Sequence, residues 1–439
     1  MTFNWSPFCT ATLPLVNDAD VIVCGAGPAG IAAAITAARA GAKVRLFEVH
    51  GCLGGVWTAG LLTYIFDFDK PGLTRELVKR LDERDARRNK NPDRFVYEPE
   101  EMKILLEELC VAAGVKIQLL TRVAAAFREG KRLTTIVTES KSGREAWRAP
   151  VFIDATGDGD LGAQAGCEWE IGQAKECPCQ PLTMNALAVV KDASAIAKFT
   201  SFVATDAFEG PGGHITCVEA FKGELKRAGV VTSYGHPTIF PVRDNLVMLM
   251  LTHEYGIKAF DAGAITEATL RSRAEVFRVM RALRSLGGVW EGLQIAATAE
   301  QIGVRDGRRI RGRYTMTKED LVTGARQKDG VARVTFGVDI HAADAAKNQT
   351  ETISHGGFQT KPYDIPLGAL IAKDVEGLMM AGRCISGDFL AHASYRVTGN
   401  AVAMGESAGV VAALAAKKGV APHQVGWAEA RQLRDNLRK

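Results

Sequence analysis

The apolar and polar positions near the start of the chain predict a strand, a helix and a second strand in direct succession. Residues 20–24 form a short β-branched run that stops at a glycine, and residues 30–40 form an alanine-rich stretch that stops at Gly41. Residues 43–48 then form a second apolar run. Two strands joined by a helix within about 30 residues make the βαβ unit of parallel sheets.

Further along the chain the pattern changes twice. Residues 151–154 fit another buried strand, but between about 167 and 361 strand-like runs surround a long arginine-rich helix at 265–285. The end of the chain then returns to a strand at 377–381 and a small-residue helix at 401–417. This order is typical of a domain that is interrupted by an inserted domain of mixed composition.

We therefore predict an α/β protein with a Rossmann-type domain that is built from both chain ends. Residues 1–165 and 365–439 would form this cofactor domain. Residues 166–364 would form an inserted α+β substrate domain.

The candidate cofactor signal is the sequence GAGPAG at residues 25–30, between the first strand and the helix. In the dinucleotide fingerprint, Gly25 would permit the tight turn and Gly27 the approach of the pyrophosphate. Gly30 would allow the helix to pack closely on the strand. Glu48 ends the second strand, where a carboxylate binds both ribose hydroxyls and repels a 2′-phosphate.

A second G-x-G-x-x-G sequence follows the strand at 151–154, at residues 157–162. Its Asp158 and Asp160 would face the charge of a pyrophosphate, and no alanine-rich helix follows them. We therefore predict one dinucleotide site, which favours a flavin as the redox partner.

Composition excludes several classes of partner. The chain has 439 residues, 54 basic and 50 acidic, and a net charge of +4, with no basic block that would suggest nucleic acid. No stretch reaches 18 uninterrupted apolar residues, so we predict no membrane span. Residues 1–12 lack the pattern of a signal peptide.

Nine cysteines, an odd number without regular spacing, favour free thiols and a reducing, cytoplasmic compartment. Cys177 and Cys179 are separated by one proline, which is poor spacing for a relaxed disulfide, so we expect unpaired thiols there. The spacing of His214, His236 and His253 does not suggest a metal site.

Several stretches together carry a more specific signal, and they cover most of the chain outside about 185–300. They are residues 21–48 with Gly54 and Gly55, 154–160, 302–312, 365–367, 380–384, 394–397 and 403–409. These stretches resemble the FAD-dependent oxidoreductases related to succinate dehydrogenase and fumarate reductase flavoproteins. That group includes tricarballylate-dehydrogenase-like and uncharacterised proteins.

The resemblance implies FAD. The surroundings of His50 and Cys52 differ from the His-Thr motif of succinate dehydrogenases, so we expect non-covalent binding. Asp388 would contact a ribityl hydroxyl, and the start of the last long helix would face the flavin ring. The predicted cofactor contacts are Gly25, Gly27, Pro28, Ala29, Gly30, Glu48, Gly54, Gly55, Gly157, Asp388, Gly399, Asn400 and Ala401.

Three side chains are candidates for the chemistry. Arg396, just before the last long helix, would hold an anionic substrate group or the flavin O2 edge, or form an interface ion pair. His392 is the first candidate base, with a structural histidine as the alternative. His355 lies in a glycine-containing loop and is the second candidate, with a surface role as its alternative.

We expect Arg305, Arg308 and Arg309 to bond mainly across a domain interface. The predicted activity is oxidation of a small or medium polar organic substrate by hydride transfer to flavin N5, with oxygen or another acceptor taking the electrons. Alternatives are a C=C dehydrogenase or reductase of a carboxylate, a flavin monooxygenase, or FAD as a structural or sensing group. The sequence leaves the acceptor and a homo-oligomeric state open.

Overall fold

The computed structural model describes residues 13–88, 91, 93–173, 179–201 and 213–438. Within these residues, α-helices alternate with short strands along the whole chain. The helices are α1 Pro28–Arg39, α2 Leu73–Glu83, α3 Pro99–Ala112, α4 Asp160–Gln164, α5 Gly213–Arg227, α6 Ala262–Ser285, α7 Lys318–Thr323, α8 Ala345–Thr350, α9 Phe389–Tyr395, α10 Thr398–Lys418 and α11 Trp427–Leu437.

Most strands are short, and the longest lie between residues 122 and 148. The strands are β1 Leu15–Val16, β2 Val21–Cys24, β3 Val44–Phe47, β4 Tyr64–Ile65, β5 Arg87–Arg88, β6 Phe95–Tyr97, β7 Lys116–Gln118, β8 Arg122–Glu129, β9 Arg132–Ser140, β10 Gly143–Arg148, β11 Val151–Asp154, β12 Trp169–Glu170, β13 Asn185–Val189, β14 Thr238–Arg243, β15 Leu246–Met250, β16 Gln294–Thr298, β17 Arg309–Ile310, β18 Gly330–Val334, β19 Ile340–His341, β20 Ile353–Ser354, β21 Tyr363–Pro366 and β22 Leu378–Met380.

The central sheet has five strands in the order β22-β11-β2-β3-β7, and every neighbouring pair is parallel. Strands β2, β11 and β22 are buried along their whole length. Continuous apolar strands are expected where helices cover both faces of a parallel sheet. The predicted α/β class with a Rossmann-type unit is confirmed.

Strand β22, from the C-terminal part of the chain, lies beside β11, with Leu378 opposite Phe152. Helix α10 also comes from the C-terminal part and packs on α1 from the N-terminal part. Elements from both chain ends therefore contribute to one sheet and its covering helices. The domain bounds at 165/166 and 364/365 remain a prediction.

The contact between α1 and α10 is unusually close. A Cβ atom on Gly405 would lie 2.2 Å from the Ala29 carbonyl oxygen, and one on Gly409 would lie 2.3 Å from that of Ala33. The two helices run in the same direction, because a step of four residues along α10, from Gly405 to Gly409, matches a step of four residues along α1, from Ala29 to Ala33. Among the described helices α10 is long and apolar enough to cross a membrane, but 94% of its most apolar window is buried inside the protein.

The middle of the chain has a sheet and a core of its own. Strands β14, β15, β13 and β16 pair antiparallel in that order. Phe221 of α5 and Val276 and Met280 of α6 pack with Trp290 in a separate apolar cluster. This arrangement fits the mixed α+β character predicted for the region.

Six of the described cysteines are free and buried. Cys179 is disulfide-bonded, so the expectation of an unpaired thiol is wrong at this position. The one-residue spacing to Cys177 was the reason for that expectation, and Cys177 lies outside the described residues, as do residues 1–12.

We predict that Gly405→Ala destabilises the protein by about 1–3 kcal/mol, because the added methyl group must push α10 away from the Ala29 carbonyl. The measurement is urea unfolding in saturating FAD. Gly223→Ala is the matched control, since Gly223 lies inside α5 and a Cβ there meets nothing within 4 Å. The control should gain about 0.5–1 kcal/mol from helix propensity. Equal effects of the two substitutions would contradict the close contact.

Candidate functional site

The turn between β2 and α1 has the geometry of a phosphate-binding turn. Gly25 has a φ of 94°, and a Cβ there would lie 2.5 Å from the Ala155 carbonyl oxygen. A Cβ on Gly30 would lie 1.9 Å from the Gly25 carbonyl oxygen. At Gly27, by contrast, a Cβ would meet nothing within 4 Å. The first and third glycines are thus required by packing, whereas the second leaves room for a ligand at the helix start.

Glu48 is 4% exposed and lies next to this turn. Its carboxylate accepts hydrogen bonds from the backbone N–H groups of Ala26 at 2.6 Å and His50 at 3.0 Å. These bonds fix the carboxylate at the end of β3, and each oxygen keeps a further lone pair for a ribose hydroxyl. The Gly54 N–H donates to the Ala26 carbonyl at 2.8 Å, which holds the following loop against the turn.

The loop after β11 is organised by buried carboxylates. Asp154 accepts bonds from the Thr156 N–H and hydroxyl and from the Gly162 N–H. Burial raises the pKa of Asp154 to about 6. Asp158 pairs with Arg383 at 2.7 Å, and Asp160 pairs with Arg308 at 2.8 Å. The two aspartates of the second glycine sequence are therefore partners of arginines.

A cleft of about 610 Å³ connects these features. One side carries the β2–α1 turn and Glu48, and the other side carries residues from the middle of the chain. The lining residues that sequence analysis predicted as cofactor contacts are Gly25, Gly27, Pro28, Ala29, Glu48, Gly55, Gly157 and Ala401. Gly30 and Gly54 support the cleft from behind rather than line it.

The start of α10 forms another part of the cleft, where Thr398 and Ala401 line it. Gly399 faces away, because a Cβ there would lie 2.2 Å from the Asp67 carbonyl oxygen. Asn400 is fully buried, and neither side-chain polar atom has a hydrogen-bond partner among the described residues. Buried amide groups are rarely left unpaired, so Asn400 indicates that a polar ligand group belongs near this helix start.

The register of the two helices separates their starting points. Gly405 lies beside Ala29, yet α10 begins at Thr398 whereas α1 begins at Pro28. Six residues at 1.5 Å each place the start of α10 about 9 Å beyond the start of α1. Two helix N-termini, each with a partial positive charge, therefore border the cleft at different depths.

Asp388 serves as a helix cap, and the ribityl contact predicted for it remains a prediction. It caps α9, because its side chain accepts from the Ala391 N–H at 2.7 Å and from the Lys318 N–H at 2.8 Å. It is not among the cleft residues. Aspartate directly before a helix is a common capping residue, so a cap was the simpler interpretation of this sequence.

Neither predicted histidine lines the cleft, and the role of each as a base remains a prediction. His392 is fully buried outside the cleft lining, edge-on to Tyr395, with ring centroids 5.5 Å apart. Burial, with Arg309 and Arg396 nearby, lowers the pKa of His392 well below its usual value. His355 also lies outside the cleft lining, where its Nδ1 atom is 2.8 Å from the Val338 carbonyl oxygen.

Arg396, by contrast, lines the cleft. Its Nη2 atom donates to the Gln180 side-chain oxygen at 3.0 Å and to the Asp339 carbonyl and carboxylate oxygens at 2.9 and 3.2 Å. Its Nε atom is buried without a partner among the described residues. The bonds of Nη2 therefore fix the side chain, and the N–H groups of Nε and Nη1 are left for a ligand.

The arginine-rich stretch supplies one cleft residue and two structural ones. Arg305 donates to the Pro181 carbonyl and the Thr183 hydroxyl, and Arg309 pairs with Asp306 at 3.1 Å. Arg308 lines the cleft, stacked 4.2 Å from the Phe260 ring. Sequence analysis missed this wall of the cleft, since residues 259–266 follow no recognisable motif.

Among the described residues, no three His, Cys, Asp or Glu side chains are grouped to hold a metal ion.

Comparison with known proteins gives partial matches to several enzymes. Thiamine thiazole synthase of Pyrococcus abyssi is 33% identical over 120 residues, 27% of this chain and 46% of that protein. Digeranylgeranylglycerophospholipid reductase 2 of Methanopyrus kandleri is 28% identical over 205 residues, 44% of this chain and 50% of that protein. The chain thus matches about half the length of these curated relatives.

Two solved structures match a larger share of the chain at low identity. A geranylgeranyl bacteriochlorophyll reductase-like protein from Thermoplasma acidophilum has a TM-score of 0.44 and 14% identity, over 96% of this chain and 82% of that one. A flavin-dependent brominase has a TM-score of 0.47 and 11% identity, over 96% and 83%.

The family model described as FAD dependent oxidoreductase matches residues 20–437, almost the whole chain. The family is broader than the predicted succinate dehydrogenase and fumarate reductase group, and these relatives are of the geranylgeranyl reductase and thiazole synthase types. This chain belongs to the family of FAD-dependent oxidoreductases.

Proposed function

We propose that this enzyme oxidises a small or medium polar organic anion, which Arg396 holds in the cleft. FAD, when bound, supplies a hydride acceptor. The observation that carries the proposal is that one cleft joins the phosphate-type turn to Arg396. The proposal includes three further expectations. They are a specific relation to succinate dehydrogenase and fumarate reductase flavoproteins, an inserted substrate domain at residues 166–364, and a homo-oligomeric state.

The residues that would hold FAD follow from the shape of the cleft. The N–H groups at the start of α1 would bind the pyrophosphate, and Glu48 would bind the ribose hydroxyls. Thr398, Asn400 and Ala401, at the start of α10, would lie at the flavin end. The open space at Gly27 and the unpaired amide of Asn400 both fit this assignment.

Charge near Arg396 favours an anionic substrate. Arg396 and Arg305 both act on the carboxylate of Asp339, and Arg396 and Arg309 both act on that of Asp306. Burial, followed by the charge of Arg396, lowers the pKa of Arg305 to about 10. Three arginines thus share two carboxylates. A buried excess of positive charge is costly unless an anion neutralises it, so a substrate carboxylate would stabilise this part of the cleft.

The reductase relative supports a second candidate, reduction or formation of a C=C bond in a carboxylate. Arg396 would serve either reaction, since both substrates carry an anionic group. The monooxygenase alternative and the electron acceptor, oxygen or another molecule, remain proposals. A cytoplasmic location also remains a proposal. Six free cysteines support a reducing compartment, whereas the disulfide at Cys179 does not.

We predict that purified protein releases FAD, and not FMN, on denaturation, and that Gly27→Val lowers its FAD content at least tenfold. Gly27 has extended dihedral angles that valine adopts readily, and its Cβ would meet no protein atom, so the substitution blocks the pyrophosphate without straining the fold. The measurement is flavin absorbance per protein, with chromatography of the released cofactor. Gly223→Val is the control; full FAD content in both variants would disprove the cofactor site.

We predict that Arg396→Ala weakens binding of the anionic substrate by about 30-fold or more, because truncation of a buried charged partner costs about 2 kcal/mol or more. The substrate is first found by anaerobic bleaching of the flavin band with a panel of hydroxy, amino and unsaturated carboxylates, sugars and phenols. Arg396→Lys should recover part of the affinity, and the exposed Arg326→Ala should change nothing.

Reduction of the flavin by neutral sugars or phenols, with no response to Arg396→Ala, would contradict an anionic substrate. Oxidation of dithionite-reduced enzyme by unsaturated carboxylates, without reduction by any saturated compound, would favour the C=C reductase instead.

A further inference from the structure

A cluster of buried polar side chains lies directly behind Arg396, and no motif in the sequence indicated it. Asp339 holds the cluster together: its carboxylate lies 3.2 Å from Arg396 Nη2 and 3.3 Å from His341 Nε2. Of these three residues, Arg396 lines the cleft, whereas Asp339 and His341 lie behind it, outside the cleft lining. The side chain of Asp339 is 25% exposed, and His341 is 6% exposed.

The bond to Asp339 determines which nitrogen of His341 carries the proton. A carboxylate accepts hydrogen bonds, so the Nε2–H group donates to Asp339 and Nδ1 keeps its lone pair. The Nδ1 atom is buried and has no hydrogen-bond partner among the described residues. A buried imidazole with a carboxylate on one nitrogen and a free lone pair on the other is arranged to accept a proton.

The surroundings keep His341 neutral. Burial, followed by the charge of Arg305, lowers the pKa of His341 to about 4, although Asp339 acts in the opposite direction. Burial raises the pKa of Asp339, but His341, Arg396 and Arg305 outweigh it and hold the carboxyl below its usual range. At neutral pH, therefore, Asp339 is ionised and His341 is an uncharged acceptor.

A second histidine lies beside the first. The ring centroids of His253 and His341 are 5.2 Å apart, and Tyr234 lies 4.0 Å from His253. The Tyr255 hydroxyl donates to the Ser233 carbonyl at 3.0 Å and lies 3.4 Å from His253 Nδ1. Burial lowers the pKa of His253 well below its usual value, so this ring is neutral as well.

Several polar atoms in this cluster lack partners among the described residues. They are Gln180 Nε2, His253 Nε2, His341 Nδ1 and Arg396 Nε. Gln180 connects the group, because its side-chain oxygen accepts from the backbone N–H of His341 at 3.1 Å and from Arg396 Nη2 at 3.0 Å. Buried polar groups are rarely left unpaired, so the presence of four such atoms in one cluster indicates a polar ligand.

We propose that His341 is the base of this enzyme, and that its substrate carries a hydroxyl or amino group on the carbon that is oxidised, as in a 2-hydroxy or 2-amino carboxylate. This inference rests on the proposed function. Arg396 holds the carboxylate, and Asp339 orients His341 as a positioning residue.

The proposed reaction balances without a further reagent. When the C–H bond breaks, its hydrogen would leave with both electrons as a hydride, and bound FAD would supply the acceptor. The O–H or N–H bond breaks, its proton goes to His341 Nδ1, and its electron pair forms the new C=O or C=N bond. An oxidation that forms C=C would need no heteroatom proton to be removed.

His341→Gln should slow anaerobic flavin reduction about 10²–10⁴-fold and leave FAD content unchanged. The probes are glycolate, lactate, malate and alanine. His423→Gln, which replaces a histidine outside the cleft, is the control and should reduce at the normal rate. Equal rates in His341→Gln and the unmodified enzyme would overturn the role of His341.

A binding measurement separates contact with substrate from a structural role. In dithionite-reduced enzyme, lactate should bind more tightly than propionate by isothermal titration calorimetry, since lactate alone reaches His341. His341→Gln should remove this advantage and leave propionate binding intact. Loss of binding for both acids would indicate that His341 merely supports the fold.

The pH dependence provides a third test. The reduction rate should be constant near neutral pH and fall as the pH approaches about 4, where His341 becomes protonated. Asp339→Asn should slow reduction and move this fall to lower pH, because the Asp339 charge raises the pKa of His341. Arg305, Arg396, His253, Tyr234 and Tyr255 face the same cluster and are unchanged in this variant. A fall at the same pH in both proteins would exclude His341 as the titrating group.

Failure of this inference differs from failure of the proposed function. If succinate bleaches the flavin in an Arg396-dependent way and no hydroxy or amino acid does, the proposed function stands, and the assignment of a 2-hydroxy or 2-amino carboxylate is wrong. If no carboxylate reduces the flavin or binds the enzyme, the proposed function itself is overturned.

Discussion

The close approach of α10 to α1 is the constraint on which the cleft depends. Two helices can touch through their backbones only where side chains are absent, and Gly405 and Gly409 provide those positions against Ala29 and Ala33. The contact fixes the register of the helices as well as their distance. Because α10 starts about 9 Å beyond α1, a long ligand can meet one helix N-terminus with its phosphates and the other with a more distant group.

How much of the fold and of the candidate site can be predicted from the sequence depends on how close the contacting residues lie along the chain. The βαβ unit, Gly25, Gly27 and Glu48 were predicted correctly in position, because a turn and its two strands lie within thirty residues. The cap formed by Asp388 also has a local signal that the sequence prediction did not use, since aspartate is common directly before a helix.

The cluster around His341 could not be predicted in this way. Gln180, His253, Asp339 and Arg396 come from four separate segments, and none lies in a spacing that suggests a site. His392 was favoured because it is close to Arg396 in sequence. Helix α9 buries His392 outside the cleft lining. His341 also lies outside it, but β19 places His341 beside Asp339, which contacts the cleft residue Arg396.

The distribution of charge explains why the cleft accepts anions although several carboxylates surround it. Asp158 and Asp160 are paired with Arg383 and Arg308, and Glu48 is held by backbone N–H groups, so none presents an uncompensated charge. The partial positive charges of the two helix N-termini and the excess positive charge of the arginines near Asp339 are not neutralised by carboxylates. Positive potential is therefore confined to the places where phosphates and a substrate carboxylate would lie. Burial keeps the imidazole of His341 uncharged, although it lies beside the carboxylate of Asp339.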